Sequence, residues 1–409
     1  MTKLKHVAVY ISNKQNKKSL IEGILSNQFF SDSFDKNYAL FSDITLNKFI
    51  DEERRHGQFD VETKTKNSLR NSSQGERRKA LLQHIISKKP KCIIVDNAFD
   101  SLDVQAQSDI KKSLEALSAE TIIIQISNRK RDVLSFIETV FKIENGTLVV
   151  INNLETPKTF KNFVLDLPQD YKQLKNKFSV LIHLRDVTLS YGKRCILKHI
   201  NWEIKPGEFW QLIGPNGSGK STILNLISGD NPKGFMQDMT LFDMKKGSGE
   251  SVWDIKKHIG FFSSDMLIGF KRKDSIENMI VSGFLDSIGL YKIPNERQIQ
   301  IAHQWLRLLN MFDIKDKNFN LLSDGHKRLV LIARAMVKQP PLLILDEPIN
   351  GLDDFDAEMF SELINKIAKE SNTAILYVSH REEKNIKPHF VFKLTSSKAG
   401  STGSVIVKK

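Results

Sequence analysis

The run Gly214-Pro215-Asn216-Gly217-Ser218-Gly219-Lys220-Ser221-Thr222 has the residue types and spacing of a loop that holds phosphate. Its glycines let backbone N–H groups turn inward and approach anionic oxygens, and a helix that starts at the loop adds its positive end. Trp210 to Ile213 before it reads as a strand, and Ile223 to Ile227 after it as a helix, which is the context this motif requires. Lys220 is placed to hold the β- and γ-phosphates and the Ser221 hydroxyl to ligate Mg²⁺. Downstream, Leu342-Leu343-Ile344-Leu345-Asp346-Glu347 is an apolar run ending in two carboxylates. It reads as a buried parallel strand delivering acids at its C-terminal edge. Asp346 then offers a second metal contact, and Glu347 a base that polarises water for attack on a γ-phosphate. His380, after the strand pattern Ala374 to Ser379, is placed to reach the same phosphate.

The elements that must position these groups occur twice. Cys92-Ile93-Ile94-Val95-Asp96-Asn97 has the shape of the Asp346 strand. Ser73-Gln74-Gly75-Glu76 precedes Asp96 at the interval by which Ser323-Asp324-Gly325-His326 precedes Asp346. Ser101-Leu102-Asp103 and Gly351-Leu352-Asp353 follow their acids at equal intervals, and Ile122 to Asn128 matches Ala374 to His380. Ile11 to Ser19 aligns without gaps on Ile213 to Ser221. Two homologous halves follow, with strands alternating with helices, so each is an α/β doubly wound domain. A length of 409 residues suits two or three domains at roughly 150 residues each. We place the first domain at 1–151, a linker at 152–180 and the second domain at 181–409.

The halves differ in chemistry. Ser12, Gln15 and Lys17 stand where the second half has Gly214, Gly217 and Gly219, while Asn97 and Asn128 stand for Glu347 and His380. Loss of a positioned base alone costs about 10²- to 10⁴-fold in rate, so the first half is expected not to hydrolyse nucleotide with its own loop. It is also shorter between loop and signature, and it lacks the strand-rich preface Leu184 to Glu208 that contains Tyr191.

The order of loop lysine, Leu322-Ser323-Asp324-Gly325-His326, Asp-Glu strand, Gly-Leu-Asp turn and Ser-His resembles the nucleotide-binding domain of the ATP-binding cassette (ABC) family over Leu184 to Val391. The resemblance implies two P-loop NTPase domains in tandem, the first shortened and degenerate, with ATP and Mg²⁺ as ligands. Tyr191 looks like the aromatic residue that stacks on adenine, and Asp353 like the aspartate of the turn after the base. Where the family usually carries a glutamine, the chain reads Phe262-Ser263-Ser264-Asp265. Because ABC domains pair head to tail, the resemblance implies one composite site, with Gly214 to Thr222, Asp346, Glu347 and His380 from the second half. Ser73, Gln74, Gly75 and Glu76 of the first half would be its lid. The Ser-Ser pair, echoed at Leu40-Phe41-Ser42-Asp43, is most similar to the ModF-type tandem proteins named for molybdenum transport. Those normally keep glycines in the first loop, where this chain has Ser12 to Ser19.

Composition narrows the setting. The longest apolar runs fall short of the ~18–20 residues that cross a bilayer, the N-terminus has no secretory pattern, and Cys92 and Cys195 offer no metal spacing. A cytoplasmic protein is expected, peripheral to the inner membrane if it serves a transporter. The net charge of +13 is spread almost evenly over the halves and marks no basic tail. Two other readings remain open: an energy-coupling subunit docking on a membrane permease, and a non-enzymatic ATP-gated module that binds nucleic acid or the ribosome.

Overall fold

The structure is a computed structural model that describes residues 6–13, 15–26, 28–30, 38–57, 60–63, 68–151, 163–168, 178–269, 273–287, 289–290, 292–383 and 385–408. Most of the expected linker 152–180 lies outside these residues. The chain divides into two compact units, Met1–Thr159 with Gly351–Phe355, and Phe160–Asn350 with Asp356–Lys409.

In the first unit, β1 (Val7–Tyr10), β2 (Tyr38–Phe41), β3 (Cys92–Asp96), β4 (Ile122–Ser127), β5 (Thr139–Glu144) and β6 (Thr147–Val150) form one sheet. Its order is β2-β3-β4-β1-β5-β6. Only the β5–β6 pair is antiparallel. All five residues of β3 are buried. That is why its sequence is apolar without alternation: helices cover both faces of a parallel sheet. One face packs Ile93, Val95, Leu81 and Leu114, the other Val9, Ile94, Ile124 and Ile24.

The second unit contains β7 (Ile182–Tyr191), β8 (Arg194–Ile204), β9 (Phe209–Ile213), β10 (Asp238–Leu241), β11 (Met244–Lys245), β12 (Ile259–Ser263), β13 (Leu342–Asp346), β14 (Ala374–Ser379), β15 (Phe390–Thr395) and β16 (Thr402–Val407). Its six-stranded sheet runs β12-β13-β14-β9-β15-β16. Taken strand for strand, this is the order of the first unit, with the single antiparallel pair again at the β16 edge. The repeat read in the sequence is therefore a repeat of topology. It extends to backbone torsions: Lys89, Asn97 and Ser101 have φ of 46°, 41° and 58°, and Gln339, Glu347 and Gly351 have 47°, 48° and 74°. A second, antiparallel sheet of order β11-β10-β7-β8 joins β7 and β8, from the strand-rich preface, to β10 and β11, which follow the loop. Trp202 stacks on Phe392 at 4.2 Å between the two sheets.

Register brings the chemistry to one edge. Asp346 pairs with Val378, and Ser379 with Ile213, so β13, β14 and β9 end side by side. The residues that follow them, Glu347, His380 and Gly214, leave the sheet together, at the carboxyl ends of the strands where open α/β sheets bind ligands. No helix among the described residues is long and apolar enough to cross a membrane.

The helix Asp324–Met336 lies against β12 so closely that a Cβ on Gly260 would stand 2.7 Å from the Ala335 carbonyl oxygen and 2.8 Å from Pro340. Backbone cannot yield there as a side-chain tip can. Gly260→Val is expected to cost about 1–3 kcal/mol, read as a lower urea midpoint. An unchanged midpoint would mean that the helix does not approach the strand this closely.

Candidate active site

The loop after β9 works through three glycines, each for a different reason. Gly217 and Gly219 have φ of 75° and 95°, in the left-handed region that L side chains resist. A Cβ on Gly219 would also meet Leu197 of β8 at 2.6 Å, and one on Gly214 would meet the Ser218 hydroxyl at 2.6 Å. Gly219 caps the helix Lys220–Ile227.

Lys220 is 7% exposed. Its ammonium donates to the carbonyls of Gly214 at 2.7 Å and Pro215 at 3.3 Å, and it faces His380 Nδ1 at 3.2 Å. An ammonium has no acceptor, so Nδ1 accepts from Lys220 and Nε2 carries the proton toward Glu347 Oε1, 2.5 Å away. The other carboxylate oxygen of Glu347 accepts from Asn350 Nδ2 at 2.6 Å. Glu347 itself is in a left-handed conformation, which costs of order 1–3 kcal/mol and persists only when its surroundings impose it. Its N–H donates to Val378 O at 3.0 Å, its carbonyl accepts from Ser264 Oγ at 2.8 Å, and buried Arg328 donates to Pro348 O and Asn350 O. The base is thus fixed at both backbone and carboxylate. Burial, then the neighbouring Glu347, pushes Asp346 up to about 6, against the pull of Lys220 and His380.

A cavity of about 320 Å³ is lined by Asn216, Ser218, Lys220, Thr222, Glu347 and His380, with Arg194 and Ile196 from the β8 hairpin. Ser218 Oγ is buried with no hydrogen-bond partner. That orphaned donor, the buried cation and the helix start form a cradle that a phosphate fits. Ser221 is exposed at the loop and Asp346 half-buried at the strand end. A hydroxyl and a carboxylate form a hard donor set that suits Mg²⁺.

Tyr191, at the end of β7, is 48% exposed. Its hydroxyl accepts from Asn231 Nδ2 at 2.9 Å, and the Lys233 ammonium lies 4.9 Å from its ring centre. Neither partner was apparent in the sequence, because both come from the turn at 231–236. Nor was the use of Ser264, in the usual glutamine position, to hold the backbone of Glu347, or of Asn350 to hold its carboxylate. In the first unit Ser73 caps the helix Gln74–Ser87 in a capping box with Glu76: Ser73 N and Oγ donate to Glu76 Oε2 at 2.8 and 2.7 Å. Gln74 is exposed beside it, and Gly75 lies against Ala106, where a Cβ would come to 3.3 Å. Ser323 also caps its helix, its hydroxyl accepting from His326 N and lying 2.7 Å from His326 Nδ1.

A family model described as ABC transporter matches residues 197–350. The chain is similar to the ABC transporter ATP-binding protein ModF of Escherichia coli (strain K12), 36% identical over 327 residues, which is 76% of this chain and 67% of that protein. An uncharacterized ABC transporter ATP-binding protein of Schizosaccharomyces pombe is 30% identical over 77% of this chain and 66% of its own length. The chain thus spans about two thirds of the length of these curated relatives. Among solved structures, archaeal ribosome recycling factor aABCE1, in complex with ribosomal stalk protein aP1, superposes with a TM-score of 0.62 over 98% of this chain and 85% of its own. At 14% identity that likeness bears on the fold alone.

The two left-handed glycines of the loop separate torsion from crowding. Gly217→Ala enters open space and pays for torsion only, whereas Gly219→Ala also drives a methyl into Leu197. Thermal melts should rank Gly219→Ala below Gly217→Ala, each losing about 1–3 kcal/mol; the reverse order would contradict this loop geometry.

Proposed function

The chain belongs to the ATP-binding cassette family of ATP-binding proteins, and from that premise we propose that it binds and hydrolyses ATP at the loop Gly214 to Thr222. The observation that carries the reading is the line of contacts from Lys220 through His380 to Glu347, ending in a carboxylate held at both oxygens. Lys220 supplies positive charge at the phosphate end of the cavity, and the loop N–H groups and Ser218 bind oxygens. Glu347 accepts a proton from water, and His380 orients the carboxylate. Mg²⁺, held by Ser221 and Asp346, neutralises phosphate charge when bound. Tyr191 offers its ring as a surface for the nucleobase.

In this reading Ser73, Gln74, Gly75 and Glu76 are the lid of the same site, by the head-to-tail pairing characteristic of the family. Their support is that the first half keeps a signature serine at the start of a buried-faced helix while losing its own base to Asn97. The pairing of Lys18 and Ser19 with Ser323 to His326 is catalytically silent.

Phosphate release by the purified chain tests this. Glu347→Gln is expected to reduce turnover about 10²- to 10⁴-fold while ATP binding persists, and Lys220→Ala to abolish binding. Turnover that ignores Glu347 would reject the assignment of the base. For the lid, Ser73→Arg should slow hydrolysis about tenfold or more, equivalent to ~1.4 kcal/mol; unchanged hydrolysis would remove the first-half signature from the site.

A further inference from the structure

A phosphate-binding loop functions because it leaves backbone N–H groups that find partners only when an anion arrives. The first unit's loop has the opposite character. Ser12 N donates to Gln15 Oε1 at 3.0 Å, and Gln15 Nε2 is spent on Ile143 O at 3.0 Å. Ser19 N donates to Asn16 Oδ1 at 3.2 Å, so the helix Lys17–Leu25 is capped by its own chain. Asn13 N donates to Asp353 Oδ2 at 2.8 Å, inside the unit that includes Gly351–Phe355.

The cations are exchanged as well. Lys18, aligned with Lys220, is 81% exposed and only 3.8 Å from exposed Glu22. Lys17, aligned with Gly219, instead lies 3.0 Å from Asp96 Oδ1, a carboxylate 7% exposed. Asp96 is the counterpart of Asp346, the proposed metal ligand. Beside it Arg78 donates to both oxygens of Asp43, at 2.9 and 2.7 Å, and to Asn97 O at 2.9 Å. Among the described loop residues of this unit none takes a left-handed φ, whereas Gly217 and Gly219 both do. The backbone path that aims N–H groups at an anion is therefore not present at those residues.

We propose that the first unit is self-liganded: the Gln15 and Asn16 side chains take up loop amides that a phosphate would need, and the Lys17 ammonium takes the place of metal at Asp96, so this unit holds its form without nucleotide and takes none. The proposal extends the reading of the loop Gly214 to Thr222 as the chain's ATP site, and the two can fail separately.

Equilibrium dialysis with labelled ATP and Mg²⁺ counts nucleotides on the full chain. One per chain, falling to none in Lys220→Ala, is expected. Two per chain, or one retained in Lys220→Ala, overturns self-liganding. None in the unsubstituted chain would overturn the ATP reading of the second unit and leave self-liganding supported. Thermal melts without nucleotide give a second, independent test. Lys17→Met should lower the first unit's transition by roughly 3 °C or more, Lys17→Arg should recover most of it, and Lys18→Met should melt within about a degree of the unsubstituted chain. If Lys17→Met and Lys18→Met melt alike, the ion pair with Asp96 does not fill the metal position.

Discussion

A buried ammonium organises the second unit. Lys220 is almost fully removed from water, and an isolated charge in that position would cost several kcal/mol. It is tolerated because the loop wraps back to present the Gly214 and Pro215 carbonyls and because His380 offers Nδ1. Those partners impose much of the rest. The loop can turn back only with glycines at left-handed positions. His380 can arrive only if β14 ends level with β9, and once its Nδ1 is an acceptor its Nε2 must be the donor that meets Glu347. The strained turn at Glu347 is in turn held by Ser264, Asn350 and Arg328, which come from β12's edge, the turn itself and the signature helix.

The two units show the same scaffold meeting different electrostatic demands. Sheet order and even left-handed backbone positions are repeated, because they depend on apolar strands buried on both faces and on tight turns at their ends. The loops are not repeated. In one, a cation is buried against carbonyls with a donor left over at Ser218; in the other, a cation on the adjacent residue goes to the strand-end acid and loop amides are satisfied internally. A lysine one position earlier on the helix start reaches the strand-end acid, while Lys18, at the position of Lys220, stays exposed. The sheet is retained in both cases, since neither solution touches its core.

Much of this was legible in the sequence. The apolar runs ending in acids located β3 and β13, and equal intervals between Ser73, Asp96 and Asp103 and between Ser323, Asp346 and Asp353 anticipated the shared topology. The loop Gly214 to Thr222 announced its chemistry through spacing alone. Side-chain direction was not legible. Nothing in the run Asn16-Lys17-Lys18-Ser19 says which lysine faces the buried acid, because that depends on where β3 ends in space. Ser264 and Asn350 are ordinary polar residues in sequence; Ser264 becomes a holder of Glu347 only through the register of β12 with β13, and Asn350 only through the turn that folds it back on Glu347. Likewise, contacts such as Arg129 Nε to Leu352 O at 2.8 Å and Lys130 N to Asp354 Oδ2 at 2.9 Å, which count Gly351–Phe355 with the first unit, join residues too far apart in the chain for any local pattern.

The claim at the centre is that nucleotide chemistry belongs to one unit and is carried by the charge line from Lys220 to Glu347. Orthovanadate replaces the γ-phosphate in its transition-state geometry and traps ADP wherever the full catalytic arrangement forms. Counting trapped ADP per chain, with proteolytic mapping of a photoreactive analogue to locate it, tests the claim directly. The account predicts one ADP per chain, mapped to the loop Gly214 to Thr222 or to Tyr191 of the second unit. Two per chain, or a single ADP mapped to the first unit's own loop at Ser12 to Ser19, would contradict it.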